Sequence, residues 1–262
     1  MDESIKLAVT GKGGVGKTTV ASLLCKAFSE KQYTVVAVDA DPDANLSSAL
    51  GFPEDTEITP LVEMKDLIEE RTGAKPGTIG SFFKLNPKVD DLPEKLWKEK
   101  DGIKLLHMGT VKQGGGGCIC PESAMLKTMI QNLFLFRKEA VVMDMEAGIE
   151  HLGRATAQAV DRLIVVVEPG KRSIETALKI KKLADDIKLS KISLVANKVR
   201  SQEDKAFLEN TTRGMHVLGF IPFDDSIVKA DMERLPPWEL SPGSLKKVRE
   251  ITEQLIKGYV LR

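Results

Sequence analysis

GKGGVGKTT, residues 11–19, is the stretch whose reading decides the fold. It satisfies G-x-x-x-x-G-K-[ST], and it stands where that pattern has mechanical meaning. The apolar run Ile5 to Val9 precedes it, and apolar positions at helical spacing follow it at Val20, Leu23, Leu24, Ala27 and Phe28. In a strand-loop-helix setting, Gly11, Gly13, Gly14 and Gly16 let successive backbone N–H groups, that of Val15 among them, turn toward a phosphate. The helix amino end adds its partial positive charge. Lys17 is spaced to reach the β- and γ-phosphates, Thr18 to offer a hydroxyl to Mg²⁺, and Thr19 to carry the cradle into the helix. ATP or ADP with Mg²⁺ is the cofactor this loop implies. A second lysine, Lys12, follows the first glycine, where its ammonium cannot easily fold back onto its own loop.

Outward from the loop, short runs rich in Val, Ile and Leu recur at Thr34 to Val38, Ile103 to Met108, Ala140 to Met143, Leu163 to Val167, Ile192 to Ala196 and Val217 to Ile221. Between most of them lie helical patterns such as Ile174, Leu178, Ile180 and Leu183. Strands apolar on both faces that alternate with helices predict an α/β fold. The expected sheet is mostly parallel, of about seven or eight strands, with helices on both faces. The chain, residues 1–262, reads as a single P-loop ATPase domain. A charged, proline-bearing insertion around 54–100 interrupts the alternation; within it, Leu61 to Thr72 reads as a helix.

The chain has 262 residues and is 42% apolar, enough for a full core. Its 38 basic and 38 acidic side chains leave no net charge, which argues against a nucleic-acid or membrane partner. No window approaches a membrane span, and the amino terminus runs into a strand pattern without a leader, so the expected location is cytoplasmic. Three cysteines do not make a disulfide framework.

Two further strands end in carboxylates. VDADPDAN brings Asp39, Asp41 and Asp43 to the carboxyl end of the second strand, and AVVMDM brings Asp144 to the end of the strand at 140–143. Acids at these ends face the γ-phosphate side of the loop, where Asp144 suits a Mg²⁺-holding role. Asp39 and Asp43 fit a polar turn stiffened by Pro42 equally well.

GKGGVGKT resembles the deviant phosphate loop of the MinD, ParA and nitrogenase iron protein superfamily. The resemblance implies that Lys12 reaches across a homodimer to the partner's nucleotide, that Asp41 orients the attacking water and serves the magnesium site with Thr18 and Asp144, and that EAGIEHLGR, residues 146–154, is a switch carrying Glu150, His151 and Arg154. His151 fits a helix surface as well. Asn197 of ANKVR and Pro222 of GFIPFDD are similar to the superfamily's base-binding asparagine and proline.

GGGGCICPE, residues 114–122, holds Cys118 and Cys120 ahead of a helical pattern at Met125, Leu126, Met129, Ile130 and Leu133. Pro121 suits the first helical position, so Cys120 is expected at a helix amino end, where a thiol pKa falls. Two thiolates are half of a tetrahedral site. A two-fold axis near this loop would join two C-x-C pairs into one Cys₄ site, while a reversible disulfide and a structural zinc pair use the same residues. Cys25 reads as core, and His107 as a buried strand histidine or a further ligand.

Together, the deviant loop, the C-x-C pair and MDMxAGIEH are similar to the CooC-type nickel-insertion ATPases. That resemblance implies a homodimer that binds ATP and one metal ion, Ni²⁺ or Zn²⁺, between subunits and serves a nickel enzyme client, carbon monoxide dehydrogenase or acetyl-CoA synthase. Two rivals stand beside it. A positioning ATPase that binds membrane or DNA leaves C-x-C unexplained. An iron–sulfur electron donor resembling nitrogenase iron protein would take its cysteines from two separated segments.

Overall fold

The apolar runs form strands because each is covered from both sides. The computed structural model describes residues 4–77, 82–109, 120–133, 138–146, 160–189, 191–212 and 214–260. Its strands are β1 (Ile5–Gly11), β2 (Thr34–Ala40), β3 (Lys98–Lys100), β4 (Ile103–His107), β5 (Glu139–Met145), β6 (Arg162–Val167), β7 (Ile192–Val199) and β8 (His216–Pro222). They make one eight-stranded sheet in the order β3-β4-β2-β5-β1-β6-β7-β8, parallel throughout except for β3 against β4.

Two-residue periodicity splits the core into two layers. Ile5, Leu7, Val9, Val35, Ala37, Ala140 and Val142 face one layer with Val20, Leu23, Leu24 and Phe28 of helix α1 (Lys17–Glu30). Leu245, Val248, Ile251 and Leu255 of the helix Pro242–Val260 complete that layer. Ala8, Val36, Val38, Val141 and Met143 face the other, where Met125, Met129 and Ile130 of the helix Pro121–Asn132 lie with Ile174, Ala177 and Ile180 of the helix Lys171–Asp186.

β1 lies between β5 and β6, while the chain itself leaves β1 for β2 on the far side of β5. This reversal of strand order opens a crevice at the carboxyl edge, the place where open α/β sheets bind ligands. Residues 11–16 occupy it.

The insertion departs from expectation in two places. Leu61 to Thr72 is not one helix: a single 3₁₀ turn at Leu61–Glu63 ends at Met64, whose ψ of 67° is not helical, and an α-helix runs from Lys65 to Thr72. The cause is an anchor in that first turn. The Val62 N–H donates to the Met108 carbonyl at 3.2 Å, pinning the turn to the end of β4. Beside it Gly109, at φ 69°, leaves room for Val62, whose Cγ2 would lie 2.5 Å from an added Cβ. The second difference is β3, whose three charged residues pair antiparallel at the sheet edge. Among the described residues, no helix is long and apolar enough to cross a membrane.

Candidate functional site

The phosphate loop is shaped by backbone that only glycine adopts easily. Gly16 is the amino cap of α1 with φ 91°, and a Cβ there would sit 2.4 Å from Asn197 Nδ2. Gly11, at φ 149°, runs against β6 so closely that a Cβ would meet the Val166 carbonyl oxygen at 2.3 Å. Val15 is fully buried and roots the loop, while Gly13 and Gly14 are exposed at its crest. α1 has no side-chain amino cap and no acid in its first turn, so its first N–H groups face the crevice without a competing anion. Lys17 is buried with 9% exposure, Thr18 and Thr19 are half-buried, and Lys12 is half-buried on the loop's outer limb.

Strands β2 and β5 place the carboxylates beside this loop. Asp39 and Asp144 are directly paired across the two strands, and Asp144 is also paired with Val9 of β1. A hydrogen bond from Thr10 Oγ1 to the Glu146 carbonyl, 3.1 Å, ties the ends of β1 and β5 together. Asp144 is wholly buried, and neither of its oxygens meets a donor at hydrogen-bonding geometry among the described residues. Burial pushes its carboxyl up to about 7. The charges of Asp39 and Asp41 act in the same sense, while the Thr18 hydroxyl and the Lys17 ammonium favour the ionised form. A buried carboxylate beside a threonine hydroxyl is a fitting donor set for a hard divalent cation, which takes oxygen ligands and water. Thr18 and Asp144 therefore fit Mg²⁺.

Asp39 plays a different part from Asp41. Its Oδ2 accepts the Leu46 N–H at 3.0 Å and its Oδ1 the Asp41 N–H at 3.2 Å, so it organises the turn after β2. Burial raises its pKa against those two bonds. Asp41 is half-buried and accepts the Asp43 N–H at 3.0 Å; Asp43 is exposed.

Asn197, near the end of β7, and Pro222, the last residue of β8, lie on the same edge. Asn197 is buried and its Nδ2 donates to the Val15 carbonyl at 2.8 Å, so its amide braces the phosphate loop. Pro222 is exposed. Lys198, which sequence reasoning passed over, donates to the Gly14 carbonyl and pairs with Glu168 at 3.3 Å. ANKVR gave no sign of it beyond standing next to Asn197.

Cys120 caps the helix Pro121–Asn132, with Pro121 as its first residue as expected. Its Sγ accepts the Ser123 N–H at 3.4 Å and lies 3.1 Å from Ser123 Oγ. The expected fall in thiol pKa is reversed. Burial raises it, and the neighbouring Glu122 carboxylate raises it further, against the lowering bonds from Ser123. Glu122 also ties this helix to the insertion, its Oε1 accepting the Gly77 N–H at 2.9 Å. Cys118, Glu150, His151 and Arg154 lie outside the described residues, and among those described no group of three His, Cys, Asp or Glu side chains is placed to hold a metal. His107 stands opposite Asp39 in the β2–β4 register. Cys25 is buried in the layer around α1, which drives its thiol pKa upward.

Comparison with known proteins agrees with this geometry. Residues 6–238 match the family described as the CobQ/CobB/MinD/ParA nucleotide binding domain. The carbon monoxide dehydrogenase accessory protein CooC of Rhodospirillum rubrum is 46% identical over 255 residues, covering 97% of each chain. An uncharacterized ATP-binding protein of Methanocaldococcus jannaschii is 46% identical over 256 residues, 97% of this chain and 98% of its own. Among solved structures, a ParA family ATPase from Chlorobium tepidum superposes with a TM-score of 0.71 at 16% identity, covering 97% of this chain and all of that one. The septum site-determining protein MinD from Pyrococcus horikoshii, complexed with Mg-ADP, gives 0.67 at 22% identity, covering 96% of each. These two structures speak for the fold; family profile and near full-length identity together show that the chain belongs to the CobQ/CobB/MinD/ParA nucleotide-binding family, as an ATPase of the CooC type.

Proposed function

We propose that this ATPase is an ATP-dependent metallochaperone: a nucleotide-gated homodimer that carries Ni²⁺ or Zn²⁺ on Cys118 and Cys120 of both subunits and assists nickel insertion into carbon monoxide dehydrogenase or acetyl-CoA synthase. The observation that carries the proposal is the 46% identity to a carbon monoxide dehydrogenase accessory protein along almost the whole of both chains. The placement of Cys120 supports it. Its helix starts on the carboxyl edge of the sheet, the edge that also bears the phosphate loop, so one dimer face can hold both sites.

In this reading residues 1–262 work as one ATPase domain. Thr18, Asp41 and Asp144 serve Mg²⁺, which, when bound, screens the charge on the transferring phosphoryl group. Lys17 holds the β- and γ-phosphates, Asp41 orients the attacking water, and Lys12 stabilises charge on the partner's nucleotide. The acids of β2 and β5 mark the γ-phosphate end, so the adenosine lies over the ends of β7 and β8, bordered by Asn197 and Pro222. Closure of the dimer around ATP would then change the cysteine site and capture or release the metal.

Anaerobic titration of the reduced protein with Ni²⁺, following thiolate-to-metal absorption and molecular mass together, tests the proposal. The expected result is saturation near about half an equivalent per chain as monomers become dimers. Saturation at one equivalent on a monomer would end the shared-site reading.

A further inference from the structure

Strand β7 slips against β8 between Leu194 and Val195 and again between Ala196 and Val199. Lys198 lies inside the second irregularity with a left-handed φ of 58°, a conformation a lysine in a strand does not adopt without cause. In a regular strand, neighbours point to opposite faces. Here Asn197 and Lys198 both reach the phosphate loop and bond consecutive carbonyls, those of Val15 and Gly14. Bulges next to active sites commonly re-aim side chains in this way.

The consequence follows from the planar trans peptide, in which C=O and N–H point in opposite directions. Holding the Gly14 carbonyl fixes the plane of the Gly14–Val15 peptide, whose N–H closes a turn on the Lys12 carbonyl at 3.4 Å; holding the Val15 carbonyl toward β7 turns the Gly16 N–H the other way, toward the crevice. The first peptide sets the turn at the crest of the loop, and the second carries an N–H that the loop presents to a phosphate. The Gly14–Val15 plane is the one that most requires a tether. Gly14 sits at φ 81° on the exposed crest with no atom within 4 Å of where a Cβ would be, so packing does not fix it. Glu168, which follows β6, pairs with Lys198 at 3.3 Å and steadies the ammonium.

We propose that Lys198, held by Glu168, is a positioning residue for the nucleotide's diphosphate, fixing the Gly14–Val15 peptide and with it the turn that forms the crest of the phosphate loop. The role is independent of any metal carried at the cysteines.

The test compares Lys198→Met, Lys198→Arg and Glu168→Gln with the parent chain by calorimetric titration with ADP and ATP, by competition with pyrophosphate and with adenosine, and by steady-state hydrolysis. Lys198→Met is expected to weaken ADP, ATP and pyrophosphate alike by about tenfold, the scale of one charge-assisted hydrogen bond. The loss should fall on KM rather than kcat, leave adenosine competition unchanged and leave the melting temperature of the nucleotide-free protein where it was. Lys198→Arg should recover most of the affinity, and Glu168→Gln should show a smaller loss of the same pattern. Unchanged affinity for ADP and pyrophosphate overturns the proposal, as does an equal loss for adenosine, which would move Lys198 to the base. Should Lys198→Met fail to fold, an unaltered diphosphate affinity in Glu168→Gln overturns it by itself.

Discussion

Asp144 lies buried beside the phosphate loop, where its surroundings alter its carboxyl. A carboxyl held near 7 by burial is protonated more readily in the folded chain than in the unfolded one. Its folded pKa lies above its unfolded value, so its ionisation destabilises the nucleotide-free protein as pH rises from about 4 toward 7, and that cost is fully present above 7. Asp144→Asn should therefore raise the melting temperature of the nucleotide-free protein by a few degrees at pH 8, with the gain fading as pH falls toward 4, while abolishing Mg²⁺-dependent hydrolysis. Thermal melts across that pH range, with hydrolysis assayed in parallel, check both halves; a gain that persists at pH 4 would point to packing rather than charge. Cys120 is the second residue whose surroundings reverse a simple expectation. With burial and Glu122 holding the thiol up, its alkylation rate should keep climbing beyond pH 9, and a rate that levels off near pH 7 would mean that the helix end dominates after all.

At the scale of elements, the loop and the start of α1 depend on β7 behind them. Gly16 fills a left-handed position directly against the Asn197 amide. Gly16→Ala adds a backbone penalty of about 1 kcal/mol and drives a methyl into Nδ2, so the brace on the Val15 carbonyl is lost together with the cap geometry. A rise in the ADP dissociation constant of at least about tenfold is expected from calorimetry, and nucleotide affinity equal to the parent's would refute the view that the loop is held from β7. The helix bearing Cys120 is anchored at both ends in a comparable way. Lys6 of β1 donates to the Ile130 carbonyl at 3.2 Å near its carboxyl end, and Glu122 accepts from Gly77 near its amino end. The cysteine position is thus fixed to the central strand and to the insertion at once.

For the whole molecule, the carboxyl edge of one sheet gathers the phosphate loop, the acids of β2 and β5 and the amino end of the cysteine-bearing helix. A dimer closing on that edge would bring Lys12 to the partner's nucleotide. Lys12→Ala is accordingly expected to bind ATP within about threefold of the parent chain while losing hydrolysis by two or more orders of magnitude, on the scale of a charge-stabilising finger. Turnover at the parent rate would remove Lys12 from the mechanism.

The amino-acid sequence by itself determined the parallel sheet, because strands buried on both faces must be written as unbroken apolar runs, and it determined the phosphate loop, because that chemistry needs glycines and a lysine at fixed spacing next to a helix start. It also marked Asp144, which closes such a run. Tertiary structure alone decided the rest. β3 is three charged residues that form a strand only because β4 offers them an edge. The Leu61 to Thr72 segment breaks at Met64 because its first turn is bonded to the distant Met108. The thiol of Cys120 shifts upward because burial outweighs the helix end, and burial is a property of what packs around a residue. Lys198 reaches the phosphate loop because β7 bulges against β8, and no local pattern in ANKVR encodes a change of register with a neighbouring strand.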